Sequence, residues 1–267
     1  MCAKVCFATA LSLGVVSTVL AQGQDCNDLP SHDELQTALS AAQARDNGGF
    51  GLNMWGSIVN RDGVVCAVAM TGSDRGDQWP GSRVISAQKA NTANAFSLPN
   101  LALSTANLWF ATQSGQSLFG LQHSNPVDPS VAYGPNPQQY GTAQDPLVGK
   151  FVGGVNVFGG GLALYAQDGT LLGAVGVSGD SSCADHNIAW RLRDALELDN
   201  VPGGVAPDGT DNIIYDLAPD EHGTPAASSP SGFGHPKCGV GSDDAEDNAA
   251  VVEACPIGPN PTGADCT

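Results

Sequence analysis

Residues 173–193, GAVGVSGDSSCADHNIAWRLR, bring a thiol, carboxylates, hydroxyls and an imidazole into one short run. Cys183 and His186 lie three apart at an expected helix start, a spacing that lets both face one metal ion. The competing reading makes Cys183 half of a disulfide and His186 a partly exposed helix residue. Ser182 and Asp185 then cap the helix, with Ser182 accepting the Asp185 amide hydrogen. Further along, His186, Trp190, Arg193 and Glu197 follow 4-3-4 spacing on one face, and Ile188, Leu192, Ala195 and Leu196 form a core stripe. Two other chemistries fail on spacing. Gly176-Val177-Ser178-Gly179-Asp180 sets its second glycine one residue too early for a nucleophile elbow. Gly173, Gly176 and Gly179 sit mostly inside an expected strand, with neither a dinucleotide fingerprint nor a P-loop lysine.

The elements that must carry these residues are legible as periodicities. Ser31-His32-Asp33-Glu34 is a capping box, and Leu35, Leu39 and Ala42 continue a helical face until Asp46-Asn47-Gly48-Gly49. LNMWGSIVN and VVCAVAMT flank Arg61-Asp62-Gly63, a hairpin signal. An alanine-rich helix is expected over 82–97, limited by Pro99. Residues 98–150 read mostly as loop, with a short strand at 107–112 and a Gly/Pro/Asn-rich insert at 113–146. GGVNVFGGGLALYA and TLLGAVGVS then flank Gln167-Asp168-Gly169 as a second hairpin, and a helix follows over 184–197. This order, α-β-β-α-(β)-β-β-α, predicts an α+β fold with an antiparallel sheet of about five strands and packed helices. From 199 to 267 the chain is acidic and rich in Gly, Pro, Ser and Asn, with one strand-like island at 212–218. It reads as an extension wrapped over the core and held by its cysteines.

The chain opens with one lysine, Lys4, then an apolar run from Val5 to Leu20 and a small-residue site ending at Ala21. Residues 1–21 read as a secretory signal peptide, too short for a membrane span. Six of the eight cysteines lie beyond it: Cys26, Cys66, Cys183, Cys238, Cys255 and Cys266. An even set in an exported chain without a CxxC pair points to disulfides, with zinc as the alternative; Cys183–Cys238 is the expected bridge that ties the extension to the helix start. The formal charge of −17 disfavours nucleic acid as a partner. No other stretch is apolar and long enough to cross a bilayer. The expected location is periplasmic or extracellular.

Three segments together resemble one family. GGLALYAQDGTLLGAVGVSGDSSCADHNIA (160–189) is similar to the signature of the GlcG/HbpS-like, or haem-degrading, domain family: a Gly-Gly strand, a D-G turn, a G-A-V-G-V-S-G strand and the helix-opening Asp185. SRVISAQKANTANAFS (82–97) carries that family's Lys-Ala-x-Thr-Ala-x-x-Phe core through Lys89, Thr92, Ala93 and Phe96. SIVNRDGVVCAVAMTG (57–72) matches the hairpin before that helix. Ala163-Leu164 replaces the usual proline, and the insert and acidic tail have no counterpart. The resemblance implies a profilin-like domain over 24–198, followed by the 199–267 extension. It also implies an exported protein that binds haem or another tetrapyrrole as a small-molecule ligand.

On that reading the iron ligand is His186 or His123, with His32, His222 and His235 as further candidates. Trp109, Phe110 and Phe119 supply aromatic walls, alongside Trp190, and Lys89 meets a propionate or other carboxylate near Asp185. The blander alternatives are a snorkelling Lys89 and a solvent-exposed His123. The absence of CxxCH excludes c-type covalent attachment. Two other functions compete: a non-catalytic sensor or scaffold that self-associates as a homo-oligomer or binds a protein partner, and a haem-degrading enzyme. No paired-carboxylate, triad or metal spacing marks catalytic residues.

Overall fold

Ser31 accepts the Glu34 amide while the Glu34 carboxylate takes the Ser31 amide, and this reciprocal cap starts helix α1, His32–Gln43. The computed structural model describes residues 25–258, apart from 225 and 242, together with Cys266; the expected leader at 1–21 lies outside the described residues. Strands β1 (Trp55–Asn60) and β2 (Val65–Met70) form the first hairpin, and β3 (Gly161–Tyr165) and β4 (Leu171–Ser178) the second. Their turns use Gly63 and Gly169 at φ of +85° and +82°, a region open to glycine at no steric cost. The two hairpins join through β1 and β4, giving an antiparallel sheet of order β2-β1-β4-β3.

The sheet therefore has four strands rather than about five. The strand expected at 107–112 folds instead as two 3-10 turns, Ala106–Leu108 and Phe110–Thr112. Local side-chain bonds explain the difference: Asn107 Oδ1 accepts from the Ser104 amide and hydroxyl, and Thr112 Oγ1 donates to the Trp109 carbonyl. Such bonds offer the backbone a turn in place of a ladder. The island at 212–218 likewise forms no strand, only an isolated bridge from Ala218 to Ser228.

Helices cover both faces. Helix α2 (Ser82–Phe96) lies on one face, where Ala87, Ala90 and Ala93 pack with Val59, Val68 and Ala174. Its approach is close because β4 presents glycine to it: a Cβ at Gly176 would collide with the Ser86 carbonyl and the Ala90 amide. The insert carries two four-residue helices, α3 (Leu121–Ser124) and α4 (Pro129–Ala132), and is fastened to α2 by a buried ion pair between Arg83 and Asp145. On the opposite face α1 and helix α5 (Ser182–Ala195) pack through Leu35, Leu39, Ile188 and Leu192 onto Ile58, Val175 and Val177.

The acidic extension holds a helix that composition concealed, α6 (Asp244–Ala254), whose Val251, followed by Cys255, joins the α1/α5 core. Three disulfides are formed: Cys26–Cys66 within the domain, Cys183–Cys238 between domain and extension, and Cys255–Cys266 within the extension. The second ties the extension to the start of α5, as the sequence suggested. Among the described residues no helix is long and apolar enough to cross a membrane.

Candidate functional site

The run from β4 into α5 is a convergence of buried polar groups. Ser181, not Ser182, caps α5, accepting the Ala184 amide at 3.2 Å. Two adjacent serines are chemically equivalent caps, so sequence alone left the register open by one. Asp180 accepts the amides of Phe50 (2.8 Å), Leu52 (2.9 Å) and Ser181 (2.6 Å), fixing the chain entering β1 to the β4–α5 turn. Asp185, one turn into α5, reaches Lys89 of α2 at 2.7 Å. The Lys89 ammonium also donates to the Val177 carbonyl at 3.0 Å, and Asp185 Oδ1 accepts the Asp180 amide at 2.9 Å. Burial pushes the Asp185 carboxyl up to about 6 and the Lys89 amine down, while their mutual attraction opposes both shifts.

Lys89 is thus neither a snorkelling side chain nor a group facing open space. The carboxylate it meets belongs to Asp185, and the pair cross-links α2, β4 and α5. Gly160 makes the crossing compact: a Cβ there would lie 3.0 Å from Asp185 Cβ and 3.2 Å from Lys89 Nζ.

The second polar face of α5 is covered by the extension. His186 is fully buried; its Nε2 lies 3.2 Å from Asn212 Oδ1 and 3.2 Å from the Ile213 amide nitrogen, and its Nδ1 has no partner. Burial pushes its pKa down to about 3, so the ring is neutral. Trp190 is buried too and donates its indole N–H to the Cys255 carbonyl at 2.8 Å. Arg193 forms a bidentate pair with Asp211 at 2.8 Å and lies 5.0 Å from the Trp190 ring. Asp211 carried no sequence signal, since its partner lies in a different segment of unlike composition.

Cys183 is bonded to Cys238 and is not available to a metal. The two described clusters of metal-ligating residues, Cys183/Cys238/Asp244 and Asp194/Cys255/Cys266, each contain a disulfide. Beside the first, His235 is buried, with Nε2 3.2 Å from Ser182 Oγ and Nδ1 2.7 Å from the Pro236 carbonyl, and burial pushes its pKa down to about 4. Trp109 is half-buried with its ring centroid 6.1 Å from that of His235, whereas Phe110 is buried.

The remaining sequence candidates separate by exposure. His32 is mostly covered and engages Asp33 at 2.9 Å and the Gly141 carbonyl at 3.0 Å. His222 is exposed on a loop beside Glu221. His123 is exposed on α3. The preceding residues include Phe119, 64% exposed, and α3 rests on the 155–158 segment: Leu121 packs on Leu108, Val155 and Val157, and Gln122 accepts the Val157 amide. Phe158, 46% exposed, follows directly. The structure thus brings Lys89 with Asp185, and His186 with Trp190, while His123 stands apart on an aromatic surface of the insert.

A four-stranded antiparallel sheet with helices on both faces and a glycine-lined β4–α5 junction defines a profilin-like domain. The chain belongs to the family described as haem degrading protein HbpS-like, whose model matches residues 31–192. Among solved structures it is similar to a haem complex of PduOC, with TM-score 0.43 and 23% identity over 62% of this chain and 91% of that one. It is also similar to the Klebsiella pneumoniae protein ORFY, with TM-score 0.42 and 24% identity over 61% and 86%. No curated protein matches the chain closely enough to show a relationship.

Proposed function

We propose that the chain is an exported haem-binding protein that holds the tetrapyrrole without a covalent link, with His123 as the iron ligand. Membership of the HbpS-like family carries the reading. The residues present fit such a group on the α3 surface: an exposed imidazole stands on a segment bearing Phe119 and packed beside that of Phe158, apolar faces suited to a flat macrocycle. Leu121 of α3 and Trp109 both pack against the Leu108, Val155 and Val157 cluster. When bound, haem supplies a redox-active iron; the protein's part is to give one nitrogen ligand and cover ring faces. His186 serves this role less well, because a ligand reaching it must first displace Asn212 and Ile213.

On this reading residues 1–21 direct export, 24–198 form the family domain and 199–267 are tied to it by Cys183–Cys238, with Cys26–Cys66 closing the domain and Cys255–Cys266 the extension, a chemistry suited to an oxidising compartment. The test is a haemin titration of the disulfide-intact chain beside His123→Ala and His186→Gln. A saturable Soret band that is lost or shifted in His123→Ala and kept in His186→Gln supports the assignment. An unchanged band in His123→Ala overturns it. Decay of the band with a reductant and oxygen identifies degradation as well as binding. No saturable band, with self-association or a captured protein partner instead, favours the scaffold reading.

A further inference from the structure

A serine hydroxyl is a weak nucleophile at neutral pH unless an adjacent base takes its proton, and a third group must hold that base in one orientation. Ser182 and His235, 53 residues apart in sequence, meet both conditions. Ser182 Oγ lies 3.2 Å from His235 Nε2, within hydrogen-bonding reach. On the far side of the ring, Nδ1 lies 2.7 Å from the Pro236 carbonyl oxygen. A carbonyl can only accept, so Nδ1 carries the proton. Burial pushes the pKa down to about 4, so the ring is neutral and Nε2 is a bare lone pair. The Ser182 hydroxyl is therefore the donor of the Ser182–His235 bond, the sense that activation by a general base requires. Cys238 Sγ, 3.4 Å from the same hydroxyl, is half of a disulfide and a weaker acceptor.

Both partners are held from several sides. His235 is fully buried, and its amide donates to the Ile214 carbonyl at 2.7 Å. Asp244 accepts the Cys238 and Gly239 amides at 2.7 and 2.9 Å, and the Cys183–Cys238 bridge ties this segment to the residue beside Ser182. Ser182 is only half-buried, so the pair presents the hydroxyl to solvent and covers the base. It is also the first residue of α5, a helix of 14 residues. The neighbouring amides of Ser181, Cys183 and Ala184 are taken by Asp180, Cys238 Sγ and Ser181 Oγ. Among the described residues nothing accepts from the Ser182 amide. A spare donor at the positive end of a helix, on the attacking residue itself, suits the negative charge that develops on an acyl oxygen. Trp109, half-buried with its ring centroid 6.1 Å from that of His235, gives an aromatic wall beside the pair. The formal charge of −17 works against an anionic substrate.

We propose that Ser182 and His235 form a catalytic dyad that cleaves neutral, apolar esters with a good leaving group, the apolar part of the ester lying against Trp109. Ser182 Oγ bonds to the acyl carbon as the bond from that carbon to the leaving oxygen breaks. The serine proton passes to His235 Nε2 and from there to the leaving oxygen. Water then attacks the acyl-serine by the same route, releasing the acid and restoring both groups. The group behind the imidazole is a carbonyl and not a carboxylate, so the imidazolium is less stabilised and esters, not amides, are the substrate class. The dyad uses neither haem nor His123.

The test treats the full, disulfide-intact chain with phenylmethanesulfonyl fluoride, maps the modified residue by peptide mass, and in parallel follows turnover of p-nitrophenyl butyrate. The sulfonyl group is expected on Ser182, the serine proton leaving with fluoride, and this modification is expected to stop ester turnover. Ser182→Ala should lose both the modification and the turnover. His235→Gln, with folding verified by a thermal melt, keeps the hydroxyl but removes the base, and should slow both reactions roughly 100-fold, the low end for loss of a general base. No sulfonylation of Ser182 in the parent chain overturns the proposal whether or not the variants fold. Turnover equal to that of Ser182→Ala, or equal rates in folded His235→Gln, also overturns it.

Discussion

His186 couples the acid–base chemistry of one residue to the docking of a whole segment. Its folded pKa of about 3 lies below its ordinary 6.5, so the unfolded chain binds the extra proton between those values. Stability linked to this residue is complete above pH 6.5 and is lost as pH falls toward 3. The slope is about 1.4 kcal/mol per pH unit for one proton. Asp185 and Asp194, both raised to about 6 with burial as the first cause, act with the opposite sign between pH 3.8 and 6, so the total profile is partly cancelled. The clean quantity is a difference: His186→Gln should take about one proton less on unfolding near pH 4.5 than the parent chain, read from urea titrations at several pH values. Parallel profiles would mean that Asn212 and Ile213 do not enclose the ring in solution. A histidine and a tryptophan four residues apart share one helical face, a pattern as suited to a ligand as to a cover. What decided between them was Asp211-Asn212-Ile213, whose position no local pattern encodes.

At the scale of elements, patterns with a local cause were legible and those with a distant cause were not. The Ser31 capping box, the two Asp-Gly turns and the alanine-rich α2 each rest on residues a few positions apart, and each forms where expected. Helix α6 was hidden by the composition around it, although its signal is present: Asp243 caps it by accepting the Ala245 amide at 2.9 Å, and Asp244, Glu246 and Asp247 favour its first turn. Glycine in β4 admits the close approach of α2, whose Ser86 carbonyl and Ala90 amide lie over Gly176. Gly176→Ala must push α2 off the sheet, since both groups it would strike are backbone. We expect a loss of about 2 kcal/mol or more in urea unfolding, at the upper range for overpacking. Gly169→Ala, with nothing within 4 Å but φ at +82°, should lose about 1 kcal/mol from backbone strain alone. If the first costs no more than the second, the packing of α2 on β4 is looser than described.

At the scale of the molecule, the extension behaves as part of the core in spite of its disordered-looking composition. It supplies Asp211 to Arg193, the Cys255 carbonyl to Trp190, and Asn248 to Asn187 at 2.9 Å, each satisfying a buried polar group of α5. Opening it would leave those groups unpaired or wet, so extension and domain should unfold together. Two substitutions separate the covalent tie from the packing. Replacing Cys183 and Cys238 together by alanine releases a bridge between residues 55 apart in sequence; the expected loss is about 2–4 kcal/mol, mainly through a freer unfolded chain. The native contacts remain, so amides over 211–214 should keep their hydrogen-exchange protection relative to the domain. Asp211→Ala leaves the tie but strands a buried guanidinium, for an expected loss of about 3–5 kcal/mol. Both variants should still melt in one transition. Protection lost only over 199–258, with strands β1 and β4 unaffected, would instead make the extension a flap that opens on its own, and His186 would then become reachable without unfolding the domain.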